Sequence, residues 1–192
     1  MADKFVLSGT KTAIRDLPSN SFVVHATNCL ATWGAGVAAE LATIFPAACE
    51  RYKEFCNAAK ATPTARWPPR TLAGRCLVIP PQKADTDAGA PSIYVVCLFT
   101  SYGFGRPNPS TGKPGKDGPP KILAQTREAL GSFRQQLGEM AELESEERVV
   151  IYSPMFNSGA FGVAWERTEA LIEDTFKGWK GSWIVLAPPD SS

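Results

Sequence analysis

Histidine is nearly absent from this 192-residue chain, which carries a single one, His25. A lone histidine excludes a His-rich metal cluster. Neither a carboxylate-rich metal motif nor a Ser-His-Asp order stands out, so the expected mechanism uses no metal and no cofactor. Long apolar runs are missing too: no eighteen consecutive apolar residues occur to make a spanning helix, and the opening Met1-Ala-Asp-Lys-Phe5 has no signal-like apolar stretch. The expectation is a soluble, intracellular protein, cytoplasmic or nuclear, with no membrane partner. Excess charge is lacking as well, with 20 Lys and Arg against 19 Asp and Glu. That balance argues against binding built on many phosphate contacts, so duplex nucleic acid is not an expected partner, while a local anion pocket stays open. The five cysteines form no CxxC pair. Cys49 and Cys56 fall at a spacing that can share a helix face, but two thiols make no zinc site, and all five read as reduced thiols packed as small apolar residues.

What is present is an ordinary globular composition, 44% apolar and 20% charged, with no long linker dividing it. One domain over residues 1–192 is expected. Apolar runs at Phe5-Val-Leu7, Ser21 to Ala26, Arg75 to Ile79, Ile93 to Phe99, Val149 to Tyr152 and Trp183 to Leu186 read as strands. Helical spacing joins Val37, Leu41, Ile44 and Phe45, and Pro46 suits the first turn of a second helix running to about Lys60. A longer helix carries Ile122, Thr126, Leu130, Phe133 and Leu137 into the acidic patch Glu139 to Glu147, which reads as a solvated face; a last one carries Thr168, Leu171, Ile172 and Phe176. Strands alternating with helices predict a three-layer α/β fold around a mixed, mostly parallel sheet. Asp85 to Gly89 reads as a polar turn. The long irregular stretch Ser101 to Pro120 splits into a first half with Tyr102, Phe104 and Arg106, placed to border a site, and a second half resembling solvated linker.

Two stretches share one grammar. His25-Ala-Thr-Asn28-Cys-Leu-Ala-Thr-Trp33-Gly34-Ala35-Gly36-Val37 and Ser153-Pro-Met-Phe-Asn157-Ser158-Gly159-Ala160-Phe161-Gly162-Val163 each leave a strand, cross a glycine-bearing loop and enter a helix. Loops leaving parallel strands at their carboxyl ends face one cleft, and backbone N–H groups there attract anions. Gly34-Ala-Gly36-Val-Ala-Ala39 formally matches the GxGxxG/A dinucleotide fingerprint. However, Gly34 comes too late after its strand, and the next strand follows too late to place a ribose-binding acid, so a nicotinamide enzyme is not indicated. Two loops pinching a diphosphate fit better. His25 ends an apolar strand at the rim where chemistry belongs, and an imidazole titrates near neutral pH, which suits proton transfer. Asn28 has both a donor and an acceptor for a sugar hydroxyl, or serves as a turn former. Phe161 between glycines is a core plug or a lid; Trp33 and Trp165 are core or ligand contacts.

At these residues the chain resembles the macro domain, the ADP-ribose-binding fold, and within it the fungal ADP-ribose 1''-phosphate phosphatases. The blocks carrying the likeness are Ser8-Gly9-Thr10-Lys-Thr12, His25-Ala-Thr-Asn28, Trp33-Gly-Ala-Gly-Val37, Leu98-Phe-Thr-Ser101 and Asn157 to Val163 with Trp165. The resemblance implies an α/β/α macro domain. It implies adenine near Gly9 and Thr10, and diphosphate held by Gly34, Ala35, Gly36 and Val37 with Ser158, Gly159, Ala160, Phe161 and Gly162. Asn28 would touch the distal ribose beneath Phe161, with Trp33 and Asn157 beside the ligand, and His25 and Asn28 would serve catalysis. Thr10 stands where the family often has an adenine-binding acid, and Ala38 where ADP-ribosyl-protein hydrolases commonly carry aspartate. The implied function is a metal-independent phosphatase converting ADP-ribose 1''-phosphate to ADP-ribose, acting as a monomer on by-products of tRNA splicing, with His25 as nucleophile or general base. The alternatives are a non-catalytic reader of ADP-ribose on proteins and a mono-ADP-ribosyl-protein hydrolase.

Overall fold

The computed structural model describes residues 5–140 and 145–188. Six strands, β1 (Ser8–Thr10), β2 (Phe22–Thr27), β3 (Cys76–Ile79), β4 (Tyr94–Phe99), β5 (Val150–Ser153) and β6 (Ser182–Leu186), form one sheet in the order β1-β6-β5-β2-β4-β3. Every pairing is parallel except β3 against β4. The helices are α1 (Gly36–Ile44), α2 (Pro46–Ala58), α3 (Lys83–Asp87), α4 (Pro119–Glu139) and α5 (Trp165–Thr175). This is the mixed, mostly parallel α/β arrangement that the alternation of patterns predicts.

Strand β2 is buried along nearly its whole length, and its first half, Phe22 to Val24, is apolar because it is covered on both faces. Val23 joins the core under α1 and α2 with Leu41, Tyr52 and Phe99, whereas Phe22 and Val24 join the core under α4 and α5 with Leu130, Phe133, Phe176 and Trp183. Removing each such large side chain from water contributes about 1.5–3 kcal/mol. All five cysteines are free and buried in this packing.

Four expectations are corrected. The first strand lies at Ser8–Thr10 rather than Phe5–Leu7, since register with β6 (Gly9 opposite Val185) sets it, while Phe5 turns into the core beside Phe176, ring centroids 5.9 Å apart. The polar turn at Asp85 is the helix α3, with Asp85 buried and both carboxylate oxygens engaged: they accept the N–H groups of Ala47 (2.8 Å) and Ala48 (3.0 Å). Helix α2 begins at Pro46 with no cap from the side chain of its N-cap residue, Phe45, so Asp85 supplies one from afar. The long helix ends at Glu139; part of the acidic patch, residues 141–144, lies outside the described residues.

The fourth correction concerns the stretch after β4, which is tied down rather than solvated in its second half. Asp117 accepts the Tyr102 N–H (2.9 Å) and the Gln125 amide (3.1 Å) and pairs with Arg70 at 2.5 Å. Ser101 Oγ donates to the Gly103 carbonyl (2.8 Å) and accepts the Asp117 N–H (3.0 Å). Gly103 is required by proximity: a Cβ there would meet the Pro114 and Gly115 carbonyl oxygens at 2.3 and 2.4 Å. The loop is thereby folded back over the sheet rim.

Candidate functional site

The carboxyl ends of β1, β2, β5 and β6, together with the loop after β4, surround a cavity of about 850 Å³. Its lining runs through Lys11 to Ile14 after β1, His25 to Asn28 and Thr32 on and after β2, Gly34 to Ala38 with Glu40, Phe104 and Gly105, Pro154 to Phe161, and Leu186 to Pro188. The two glycine-bearing loops thus meet at one cleft, as their shared grammar predicts. They meet because β2 and β5 are parallel neighbours and both loops leave at the same end. The volume is within the range of about 300–1,000 Å³ usual for small-molecule sites. From β1 to β2 the sheet advances three strands, which at ~4.8 Å each gives the rim a span of about 14 Å.

The opening turn of α1 presents the Gly36, Val37 and Ala38 backbone to this cavity, and no side chain caps that helix end. Unpaired N–H groups backed by the helix dipole suit an anion there. Ser158, Gly159, Ala160 and Phe161 close the opposite side. Charge is sparse: among the described residues that line the cavity, the ionised side chains are Lys11 and Glu40. Among the described residues no group of three or more His, Cys, Asp or Glu side chains is placed to hold a metal ion.

His25 is among the residues lining the cavity, but it is 2% exposed and both its ring nitrogens are buried. Its imidazole stands edge-on to Trp33, centroids 4.8 Å apart, on the same face of β2 as Val23 and Thr27. Burial drives its pKa down from 6.5 to about 3, opposed weakly by the adjacent Ala26 backbone, and neither ring nitrogen reaches hydrogen-bond geometry with any described group. The imidazole is therefore neutral at physiological pH, with both polar atoms uncommitted. Buried polar atoms left unpaired are costly, and where they persist they mark a functional site or strain.

Other expected ligand residues are used for building the loops. Asn28 lines the cavity, but its amide donates to the Thr32 carbonyl (2.8 Å) and its oxygen accepts the Leu30 N–H (2.9 Å), with Tyr52 Oη 3.1 Å away. These bonds hold a loop in which Ala31 sits at φ 60°, a conformation costly for a residue with a Cβ. The turn-forming role of Asn28 is the one its hydrogen bonds show. Trp33 packs in the core: it lies outside the cavity lining, stacks on Tyr52 at 4.8 Å and donates from Nε1 to Thr27 Oγ1 at 3.1 Å. Asn157 also lines the cavity. Its side chain, 4% exposed, accepts from Thr100 (2.8 Å) and donates to Thr126 (2.9 Å) and Thr168 (3.3 Å), holding the left-handed turn at φ 67°. Gly9, Thr10 and Gly162 are outside the lining, and on the first-strand side the wall starts one residue later, at Lys11. Trp165 packs against Phe156 as core.

Phe104 does line the cavity, whereas its neighbour Tyr102 points away and donates its hydroxyl to the Pro68 carbonyl at 2.5 Å. Sequence reasoning overlooked Ala13 and Ile14, and Leu186 to Pro188. The signal for both was topological, since each follows a strand ending at the same rim.

No protein-family model matches the chain. It is 34% identical over 176 residues to an ADP-ribose 1''-phosphate phosphatase from Neosartorya fischeri, an alignment covering 82% of this chain and 84% of the relative. The protein of the same description from Aspergillus fumigatus is 32% identical with the same coverage. Among solved structures, the macrodomain of Mycobacterium tuberculosis DarG superposes with a TM-score of 0.63 at 16% identity, covering 97% of this chain and 99% of that one. The fold is therefore a macrodomain, and with identity of this order sustained through four-fifths of both sequences the chain belongs to the ADP-ribose 1''-phosphate phosphatase family.

Proposed function

We propose that this protein hydrolyses ADP-ribose 1''-phosphate to ADP-ribose and inorganic phosphate, with the nucleotide lying along the rim of the sheet. The observation that carries the reading is the meeting of both glycine-bearing loops around one cavity whose lining includes His25, its ring nitrogens buried and unpartnered. The family membership names the phosphate monoester as the substrate. Adenine lies toward β1 and β6, the diphosphate sits between residues 34–37 and 158–161, and the distal ribose with its phosphate lies over β2 and β4. His25 then faces the phosphorus. Held neutral, it keeps a lone pair at physiological pH, the form needed either to attack phosphorus directly or to take a proton from the attacking water. Water supplies the oxygen gained by phosphate, and the anomeric oxygen leaves with a proton. Asn28 shapes the loop beneath the ribose and has one amide hydrogen left for a sugar hydroxyl. A monomer acting in the cytoplasm or nucleus on a by-product of tRNA splicing completes the reading, on the strength of the family resemblance.

Phosphate release from ADP-ribose 1''-phosphate, measured beside calorimetric binding of ADP-ribose, is the test. His25→Ala is expected to lower turnover by at least about 100-fold while ADP-ribose still binds. Full turnover by that variant would remove His25 from the chemistry. Binding without release by the unaltered protein would instead favour a reader of ADP-ribosylated proteins, and loss of label from an automodified transferase would favour a mono-ADP-ribosyl-protein hydrolase.

A further inference from the structure

We infer that Thr100 is a positioning residue for this site: through Asn157 it locks the second glycine-bearing loop to the loop after β4, so that the two walls take up the ligand as one unit; this rests on the reading of the site given above. Thr100 is the first residue after β4 and is fully buried. Its hydroxyl donates to Asn157 Oδ1 at 2.8 Å, although Asn157 follows β5 and strand β2 lies between β5 and β4. Two strand spacings, about 10 Å, are thus bridged at the rim. The same residue also grips the other loop. Its carbonyl accepts the Gln125 amide at 2.7 Å, and that amide donates at 3.1 Å to Asp117, the carboxylate that fastens the loop bearing Phe104 and Gly105.

The orientation of the Asn157 amide is dictated by its partners. Thr126 Oγ1 gives its proton to the Ile122 carbonyl at 2.6 Å, so toward Asn157 it can only accept, and Asn157 Nδ2 donates to it at 2.9 Å and to Thr168 at 3.3 Å. The amide oxygen is left facing Thr100, whose hydroxyl must donate. One planar group therefore gathers the end of β4, helix α4 and helix α5. The segment it holds is the wall itself: Asn157 sits at φ 67°, and its carbonyl accepts the Val163 N–H at 2.8 Å, closing the loop whose residues Ser158 to Phe161 line the cavity. Buried hydroxyls paired to an amide add little net stability over apolar side chains of the same shape, because each bond replaces one made with water. Directional bonds add a single geometry instead, and here that geometry sets where the loop stands against the ligand.

Two substitutions separate positioning from packing. Thr100→Val keeps the shape and removes the hydroxyl, whereas Thr100→Ser keeps the hydroxyl and removes a buried methyl. A purely structural role makes serine as harmful as valine, with function following melting temperature. The positioning role parts them: Thr100→Val is expected to raise the Kd for ADP-ribose, and to lower kcat/KM for phosphate release, by about 10–100-fold, while Thr100→Ser melts lower yet stays within about threefold of the unaltered protein in both. Thr168→Val acts on the same amide from α5, so combined with Thr100→Val it should cost less than the product of the two separate losses. Hydrogen exchange on the ligand-free protein reads the wall directly. The amides of residues 158–162 should exchange at least about tenfold faster in Thr100→Val and near the unaltered rate in Thr100→Ser. That measurement decides the inference even if the unaltered protein releases no phosphate or binds no ADP-ribose, results that would overturn the proposed function instead. Unchanged exchange in Thr100→Val, ADP-ribose binding undiminished by it, damage by serine equal to that by valine, or losses that multiply in the double variant would overturn the role of Thr100.

Discussion

Among single residues, His25 carries a consequence for stability as well as for chemistry. Its pKa is lowered from 6.5 to about 3 by burial, so between those values the unfolded chain holds a proton that the folded chain refuses. Its contribution is therefore complete above pH 6.5 and is lost progressively as pH falls from there toward 3, at up to about 1.4 kcal/mol per pH unit for one proton. Urea unfolding of the unaltered protein and of His25→Gln at pH 7 and pH 5 checks this, the variant being expected to show the shallower decline; parallel declines would contradict the burial argument. The position of this histidine was legible because an apolar strand delivered it to the rim. The aim of Asn28, Asn157 and Trp33 was not, because a chain pattern reports which residues a loop holds but not which side of the loop each faces. Asn157 illustrates this: three threonines from three separate segments claim its amide, and none lies near it in sequence.

At the scale of elements, the helices were readable from spacing and from Pro46, but what starts α2 was not. Asp85 lies 37 residues from the nearer N–H it caps, and no local pattern signals so distant a partner. Asp85→Ala removes two charge-assisted hydrogen bonds from the first turn of α2 and leaves those donors buried. The expected loss is about 1–3 kcal/mol, or roughly 3–10 °C in melting temperature by calorimetry. Phosphate release below the transition should be unaltered, since Asp85 belongs to none of the segments around the cavity. The loop after β4 gives the same lesson in reverse. Its run of glycines and prolines reads as linker, yet Asp117 fastens it to Arg70, Tyr102 and Gln125, contacts that exist only once the sheet has brought them together.

For the molecule as a whole, the cavity is bounded by the ends of four strands and the loop after a fifth, so a ligand there bridges segments from Lys11 to Pro188. Occupancy should accordingly stabilise the entire fold rather than one loop. ADP-ribose at one hundred times its Kd is expected to add about 2.7 kcal/mol and raise the melting temperature by roughly 5–10 °C in one cooperative transition, followed by scanning fluorimetry. No rise at that concentration would mean that the folded state does not bind ADP-ribose in preference to the unfolded chain. The architecture itself was legible because parallel strands buried on both faces give continuous apolar runs. The edge strand β1, set by pairing with β6 rather than by its own hydrophobicity, escaped.

The thiols have a use beyond filling space. All five are enclosed, and burial raises the pKa of Cys29, Cys76 and Cys97, which suppresses the thiolate that electrophiles and oxidants attack. Cys97 sits opposite His25 at the centre of the sheet. The native molecule thus carries its own silent clock: an alkylating dye can mark that sulfur only when the central strands part, so the pace of labelling counts the openings of the whole structure.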